Sequence, residues 1–469
     1  MKKHFYTHFF KRSFLLVGLG LFFAFSTYGQ TLPTAAVTAK AMTIGWNIGN
    51  TLEAIGGETA WGNPLVTQKL IDSVKAAGFN TIRIPVAWDI HANQTTNVID
   101  ATWMARVKQV VDYCINRNLY VIINIHWDNG WLENNCTAEK QVAVNAKQKT
   151  YWTQIANTFK AYDGHVLFAS ANEPNVEDAT QMTVLLSYHQ TFINAVRATG
   201  GNNTSRTLII QGPSTDIDKT NTLMNTMPTD PTANRLMVEI HYYPYQFSLM
   251  TADADWGKMF YYWGSGNHST TDAAHNPTWG EEADTDAFFQ KMKAKFVDKG
   301  YPVVIGEFGA MKRTTLTGAN LALHIKSREA YYTYVAKSAV CHGMIPVYWD
   351  AGFIGDNSFT LFNRNTGAMV DKGAVQALVK GVNNCGVVTA IEETHEKQEL
   401  SIYPNPFNQQ LNITCKGAFK YTVFNLDGSE LESGGATEST ILGKNYATGI
   451  YIVKIQQSET TKVMRVVKE

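Results

Sequence analysis

Two glutamates are set apart by where they fall. Glu173 lies near the end of the run Val166 to Pro174, VLFASANEP, and Glu307 sits near the end of a similar run, Pro302 to Gly309, PVVIGEFG. Each is a short apolar stretch that stops at a carboxylate, as in a strand buried on both faces. A charge at the end of such a strand is costly unless it has work or a partner. Two carboxylates placed alike on parallel strands can converge on one cleft. Cleavage of a glycosidic bond needs that convergence, because one carboxyl protonates the leaving oxygen while the other attacks the sugar or activates water. Taken singly, either glutamate reads as a helix-entry or ion-pair residue. The matched pair favours chemistry.

Eight strand-like runs position them: 43–48, 81–86, 120–126, 166–171, 207–212, 236–241, 302–306 and 345–349. Amphipathic helices separate most of these. Thr67 to Gly78 turns Leu70, Ile71, Val74 and Ala77 to one side and stops at a glycine, and Trp103 to Asn118 and Asp284 to Gly300 repeat the pattern. Eight strands alternating with helices, without an internal repeat, predict an α/β fold, a (β/α)8 TIM barrel. A doubly wound open sheet is the alternative, but its glycine-rich phosphate loop is missing after the early strands. Barrels of this kind place their sites at the carboxyl ends of the strands. Those ends carry Asn47 and Asn50, Arg83, His126, Asn172 and Glu173, His241 and Tyr243, Glu307, and Trp349 with Asp350. One such histidine would read as a satisfied core residue; the whole gathering does not. The long connection from Tyr242 to Asp284 holds Tyr245, Phe247, Trp256, Phe260, Tyr261, Tyr262, Trp263 and Trp279. Long ordered loops are usually functional, so it reads as one wall of a sugar-binding cleft, against the plainer reading of a flap packed on the barrel.

Lys plus Arg and Asp plus Glu both number 40 in 469 residues, so no basic excess points to nucleic acid or an anionic membrane. Residues 1–29 read as a cleaved secretory signal: Lys2, Lys3, Lys11 and Arg12, then an apolar run from Phe14 to Phe25, then a small-residue exit. Five cysteines at scattered positions form neither a disulfide framework nor a metal spacing. Cys114 and Cys341 read as buried free thiols in helices, and Cys136 as open to pairing.

GWNIGNTLE at 45–53, RIPVAW at 83–88, INIHWD at 123–128, ANEP at 171–174, HYYPY at 241–245 and GEFG at 306–309 follow in one order. Together they resemble glycoside hydrolase family 5, the cellulase A type. The resemblance runs from about Met42 to about Val382 and sets the catalytic region at 30–382. It implies Glu173 as acid/base and Glu307 as nucleophile, with Asn47, Arg83, His126, Asn172, His241, Tyr243 and Trp349 around them. Many members have Phe-Glu or a similar pair before the asparagine, where this chain has Ala169-Ser170-Ala171. The implied activity is that of a retaining endo-β-1,4-glucanase acting on β-glucan, with no metal or cofactor. A mannanase or xyloglucanase is the close alternative, and a carbohydrate-binding protein without catalysis the distant one. In such a site Arg83 and Tyr243 would hydrogen-bond Glu307, and the Glu307 charge would raise the pKa of Glu173.

Residues 383–398 are polar and unpatterned and read as a linker. From 399 to 469, SIYPNPF, LNITC, YTVFNLDG, GIYIVKI and KVMRVVK alternate as short strands with turns, a small all-β sandwich. YPNPF, NLDG, GIYIVKI and the basic end together resemble a type IX secretion sorting tail. That implies handover to outer-membrane secretion machinery, removal of the tail, and a secreted or cell-surface protein; a monomer is expected. A carbohydrate-binding module is the minority reading, since the tail has no Trp to stack on a sugar.

Overall fold

The computed structural model describes Met1 and residues 31–254, 257–385, 400–426, 428–457 and 460–469. The expected signal segment lies outside these except for Met1, as do Trp256 and most of the expected linker. The chain divides into two compact units, one ending at Val387 and the other beginning at Val388.

In the first unit β1 Gly45–Asn47, β2 Thr81–Ile84, β3 Tyr120–Asn124, β4 Val166–Ala169, β5 Leu208–Gln211, β6 Leu236–Tyr242, β7 Val303–Phe308 and β8 Met344–Tyr348 form a closed parallel barrel in chain order. Every strand overlaps its expected run. The helices are α1 Ala35–Ala41, α2 Gln68–Ala76, α3 Ala101–Ile115, α4 Gln141–Phe159, α5 Ala179–Ala198, α6 Ile217–Leu223, α7 Tyr245–Ser248, α8 Glu282–Lys295, α9 Gly318–Cys341 and α10 Lys372–Val382. Several begin where a side chain satisfies a free N–H of the first turn: Thr67, Asp100, Asp178, Asp216 and Asp371 each accept one.

The period of two along each strand sorts the core into two sets. Ile82, Ile84, Val121, Ile123, Val166, Phe168, Leu208, Ile210, Val238 and Ile240 pack with the helices. The alternate residues Ile122, Leu167, Ile209, Met237, Val304, Ile345 and Val347 fill the barrel and join Ala35 and Met42 at α1. α1 is tied by the Ala35 N–H to the carbonyl of Asn234, just ahead of β6, so it closes the amino end of the barrel. Toward the carboxyl ends the inward positions turn polar: Asn47, Arg83, Asn124, Gln211, Glu239 and His241, all buried.

The second unit is all-β: β9 Leu400–Tyr403, β10 Leu411–Asn425, β11 Glu430–Leu442, β12 Gly449–Gln457 and β13 Thr460–Lys468. β10 organises it. β11 pairs along its whole length, while β9 and β12 pair with its first and last parts, and β13 extends the sheet from β12. Phe407, Leu411, Ile413, Phe419, Val423, Val453, Ile455 and Val466 form a separate core.

Cys341 departs from expectation. It is not a free thiol but is bonded to Cys385, with Cα atoms 5.1 Å apart across 44 residues. Sequence spacing could not reveal this, because the packing of α10 against α9 brings the two together. Gly381 permits that approach, since a Cβ there would lie 2.7 Å from the Cβ of Ala336. Cys114 and Cys136 are buried free thiols.

A cut at Val382 therefore removes one half of a disulfide, whereas a cut after Cys385 keeps it. The chain ending after Cys385 should melt at the barrel temperature of the full chain, since each unit has its own core. The chain ending at Val382, or Cys385→Ser, should lose about 2–4 kcal/mol of barrel stability. Denaturant melts of the three proteins measure this, and superimposed curves would leave the disulfide with no stabilising role.

Candidate active site

Arg83 is the centre of the barrel mouth. It lies inward on β2, is fully buried, and pairs in register with Asn47 of β1. One guanidinium nitrogen donates to Asn47 Oδ1 at 3.0 Å and Glu307 Oε1 at 2.9 Å. The other reaches Asn172 Oδ1 and Glu239 Oε1, both at 2.9 Å. Four strands and the loop after β4 contribute to this cluster, which brings together residues far apart in the chain.

Glu307 faces inward because β7 carries a bulge. Ile305 pairs with Ile240 and packs outward with the helices, but the next pair is His241 with Glu307, so Gly306 is the extra residue. Without the bulge Glu307 would point away from the barrel; a bulge re-aims a side chain in this way. Gly306 also leaves room that Glu239 fills, as a Cβ there would lie 1.9 Å from Glu239 Oε1. Asn47 Nδ2 donates to the Gly306 carbonyl at 2.8 Å, holding the bulge. The second oxygen of Glu307 accepts from the Tyr243 hydroxyl at 3.2 Å.

Glu173 is more open. Its side chain is 43% exposed against 9% for Glu307. Oε1 accepts from His241 Nδ1 at 2.6 Å, and the backbone N–H of Glu173 donates to Glu133 at 2.7 Å. One oxygen of Glu173, one of Glu307 and a ring nitrogen of His241 all lie within 4.8 Å of one another. His126 stacks parallel to Trp349, rings 5.8 Å apart, and its Nδ1 faces the Asn124 amide at 3.1 Å. Asn124 Oδ1 accepts the Val86 N–H, so its amide donates to Nδ1 and His126 carries its proton on Nε2. Asn50 donates its N–H to Glu53. Asp350 anchors the loop after β8, accepting from the Trp46 indole at 2.9 Å and pairing with Arg364 at 3.1 Å.

The charges are uneven. Burial opposes a charge on His241, but Glu307, Glu173 and Glu239 outweigh it and raise its pKa to about 10. His126 is held well below the usual histidine value by burial, Arg83 and His241, so it is neutral. Glu307 is raised, chiefly by burial, with Arg83 and His241 pulling the other way. Burial also pushes Glu173 up, yet the His241 hydrogen bond and charge and Arg83 leave it lowered. The expectation that Glu307 would raise Glu173 is thus not met. The His241 imidazolium, 2.6 Å from Glu173 Oε1, is the strongest of the influences that lower it. Glu173, His241 and Glu307 are not read as metal ligands, because a charged imidazole offers no lone pair and Arg83 repels a cation.

Several residues escaped sequence reasoning. Glu239, Gln211, Glu133 and Asn124 all support the site. Glu239 and Gln211 could have been found by the period of two, since each is a polar residue breaking an apolar strand at an inward position. The aromatic loop corrects its own expectation: Tyr242, Phe247, Phe260, Tyr262 and Trp263 are buried against the barrel, for example Trp263 on Tyr331 with rings 5.5 Å apart. Among the described residues of the loop, Tyr245 and Trp279 are the exposed large hydrophobics. Trp61, Trp127 and Phe353, in other loops after strands, are exposed as well.

A (β/α)8 barrel presenting two close carboxylates of unequal exposure, beside a buried Arg and exposed aromatic rings, is the arrangement of a glycoside hydrolase. The chain belongs to the cellulase family, glycosyl hydrolase family 5, whose model matches residues 46–355. It is similar to the xyloglucan-specific endo-beta-1,4-glucanase of Bacteroides ovatus, 38% identical over 372 residues, which is 75% of this chain and 70% of that protein. Endoglucanase A of Paenibacillus barcinonensis is 36% identical over 79% of this chain and 98% of its own. Among solved structures, a family 5 xyloglucan-specific beta-1,4-glucanase from a ruminal metagenomic library superposes with a TM-score of 0.70 at 40% identity, covering 78% of this chain and 100% of that one. Residues 401–469 match the secretion system C-terminal sorting domain, so the protein is secreted or displayed at the cell surface.

The charge on His241 gives stability a pH signature. Its folded pKa, about 10, lies above the unfolded value near 6.5, so its contribution is present below the unfolded value and lost as pH rises toward 10. Unfolding free energy should therefore fall between about pH 7 and 10, and fall less steeply in His241→Asn. Urea melts across that range measure the slope; equal slopes for the two proteins would contradict a charged His241.

Proposed function

We propose that the protein is an endo-acting, retaining β-1,4-glucanase that cleaves cellulose or a related β-glucan by double displacement. The observation that carries the reading is the approach of Glu173 and Glu307, with oxygens within 4.8 Å. Retaining pairs stand roughly 5–5.5 Å apart, and inverting pairs about 6.5–9.5 Å, to admit a water. In the first step Glu307 attacks the anomeric carbon as the glycosidic bond breaks, and Glu173 gives a proton to the leaving oxygen. In the second, water displaces Glu307 while Glu173 takes its proton. Arg83, Asn47 and Tyr243 hold the nucleophile. Asn172 bonds the sugar 2-hydroxyl, His126 donates from Nε2, and Trp349 stacks beneath the sugar. The different exposure of the carboxylates suits these roles, since the acid/base must meet solvent and leaving group. Both carboxylates and their supporting shell speak against a purely binding protein, which needs no nucleophile.

A second reading, cleavage of xyloglucan, is favoured by the similarity to two xyloglucan-specific enzymes and by the exposed rings of Trp61, Trp127, Tyr245, Trp279 and Phe353. Residues 1–29 would be removed as a signal. The unit from 30 to 382, extended to Cys385 by its disulfide, would form the enzyme, and 399–469 would be handed to outer-membrane secretion machinery.

Two measurements test this. Release of reducing ends from carboxymethylcellulose, mixed-linkage glucan, xyloglucan and mannan should favour a β-1,4-glucan backbone; a preference for mannan would move the enzyme to another substrate class. Glu307→Ala should abolish hydrolysis for every leaving group. Glu173→Ala should lose about 10²–10⁴-fold on glucan but still attack an activated aryl glycoside, with azide releasing a β-linked product. A β-linked azide product from Glu307→Ala, with none from Glu173→Ala, means the roles are reversed.

A further inference from the structure

Glu239 lies one strand layer beneath the carboxylates, is fully buried, and belongs to none of the motifs that mark the site. Every polar group around it is a donor. Oε1 meets Arg83 at 2.9 Å and His241 Nε2 at 3.3 Å, and Oε2 accepts from Gln211 Nε2 at 2.7 Å. The Gln211 amide cannot be turned over, because its Oε1 accepts the Ala171 N–H at 2.8 Å. An acceptor ringed by donors is an ionised carboxylate. His241 therefore carries protons on both ring nitrogens: Nε2 toward Glu239 and Nδ1 toward Glu173. Space for this carboxylate exists only because residue 306 is glycine.

We propose that Glu239 is a positioning residue that holds His241 as an imidazolium, so that the proton needed at the leaving oxygen is kept on the His241–Glu173 pair. The inference rests on Glu173 being the acid/base. In the first step Glu173 delivers one proton to the glycosidic oxygen and is supplied by His241 Nδ1–H across 2.6 Å. In the second step the attacking water returns one proton to the pair, and His241 is again charged. Glu239 keeps its own charge throughout. The charged and titratable groups facing this cluster are Arg83 from β2, His126 after β3, Glu133 and Glu173 beside the β4 loop, Tyr243 after β6 and Glu307 from β7.

Replacing Glu239 by Gln removes a negative charge next to His241 and should release its proton at lower pH. The alkaline limb of kcat/KM on soluble β-glucan should move toward acid by about one pH unit in Glu239→Gln. Glu239→Asp, which keeps the charge, should bring the limb back toward its original position. A residue that merely fills space would lower activity without moving the limb. An unmoved limb in a folded Glu239→Gln, or equal limbs in Gln and Asp variants, overturns the proposal. A second readout stands even if the variants do not fold. In the unaltered, ligand-free protein, 15N-detected NMR should find both His241 ring nitrogens protonated well above neutral pH. Titration near the ordinary histidine value overturns the proposal. Because this needs no turnover, it separates failure of the Glu239 assignment from failure of the catalytic assignment, which azide rescue tests independently.

Discussion

The structure turns on a cation buried at the mouth of the barrel. Arg83 is out of reach of water, so its charge must be met by fixed partners, and it is met twice, by Glu239 and Glu307. Desolvating such charges is expensive, and a buried ion pair adds stability only when its geometry and remaining hydrogen bonds are complete. Here they nearly are: Asn47 and Asn172 take further guanidinium protons, and Gln211, Tyr243 and His241 complete the carboxylates. Removing one member of such a buried set strands the others, at a cost of roughly 3–5 kcal/mol. Function explains its retention better than stability does, since apolar residues would fill the same space at less cost.

Backbone geometry makes the network possible. A regular β7 would aim Glu307 at the helices, because Ile305 already faces them and the side-chain period is two. The bulge at Gly306 shifts the register by one and turns Glu307 inward beside His241. The absent Cβ serves a second purpose, admitting Glu239 where another side chain would collide. One glycine thus permits both the direction of Glu307 and its counter-charge network.

Much of this was legible in the chain. The eight strands announce themselves because strands buried on both faces must be continuously apolar, and TLIIQG or PVVIG can hardly be anything else. The candidate site residues were legible because they interrupt or end those runs. The remainder depended on distances. The 44 residues between Cys341 and Cys385 say nothing until α9 and α10 are packed. The aromatic richness of 242–284 measured apolar area but not which way it faced, and most of it faces the barrel. The protonation of Glu173 was read from the charge of Glu307, when the nearer influence is His241 at 2.6 Å. Glu239 could have been seen from parity alone, two residues before His241 on the same strand, had strand interiors been read as closely as strand ends.

The unequal exposure of Glu173 and Glu307 sets them in different surroundings. A nucleophile gains from a dry setting in which preorganised donors replace water, because those donors need not reorganise as the reaction proceeds. Glu307 has that setting, with Arg83 on one oxygen and Tyr243 on the other. Yet on the proposed pathway its charge vanishes when it bonds to the sugar, leaving Arg83 as a buried cation midway through the cycle. Were Glu307 its sole partner, the covalent intermediate would bear the cost of an unpaired charge, and the first step would be opposed by the very contact that prepared it. Glu239 is not consumed in either step and remains 2.9 Å from the guanidinium. On that pathway a permanent counter-ion below and a reacting one above would let Glu307 surrender its charge without stranding the arginine that held it.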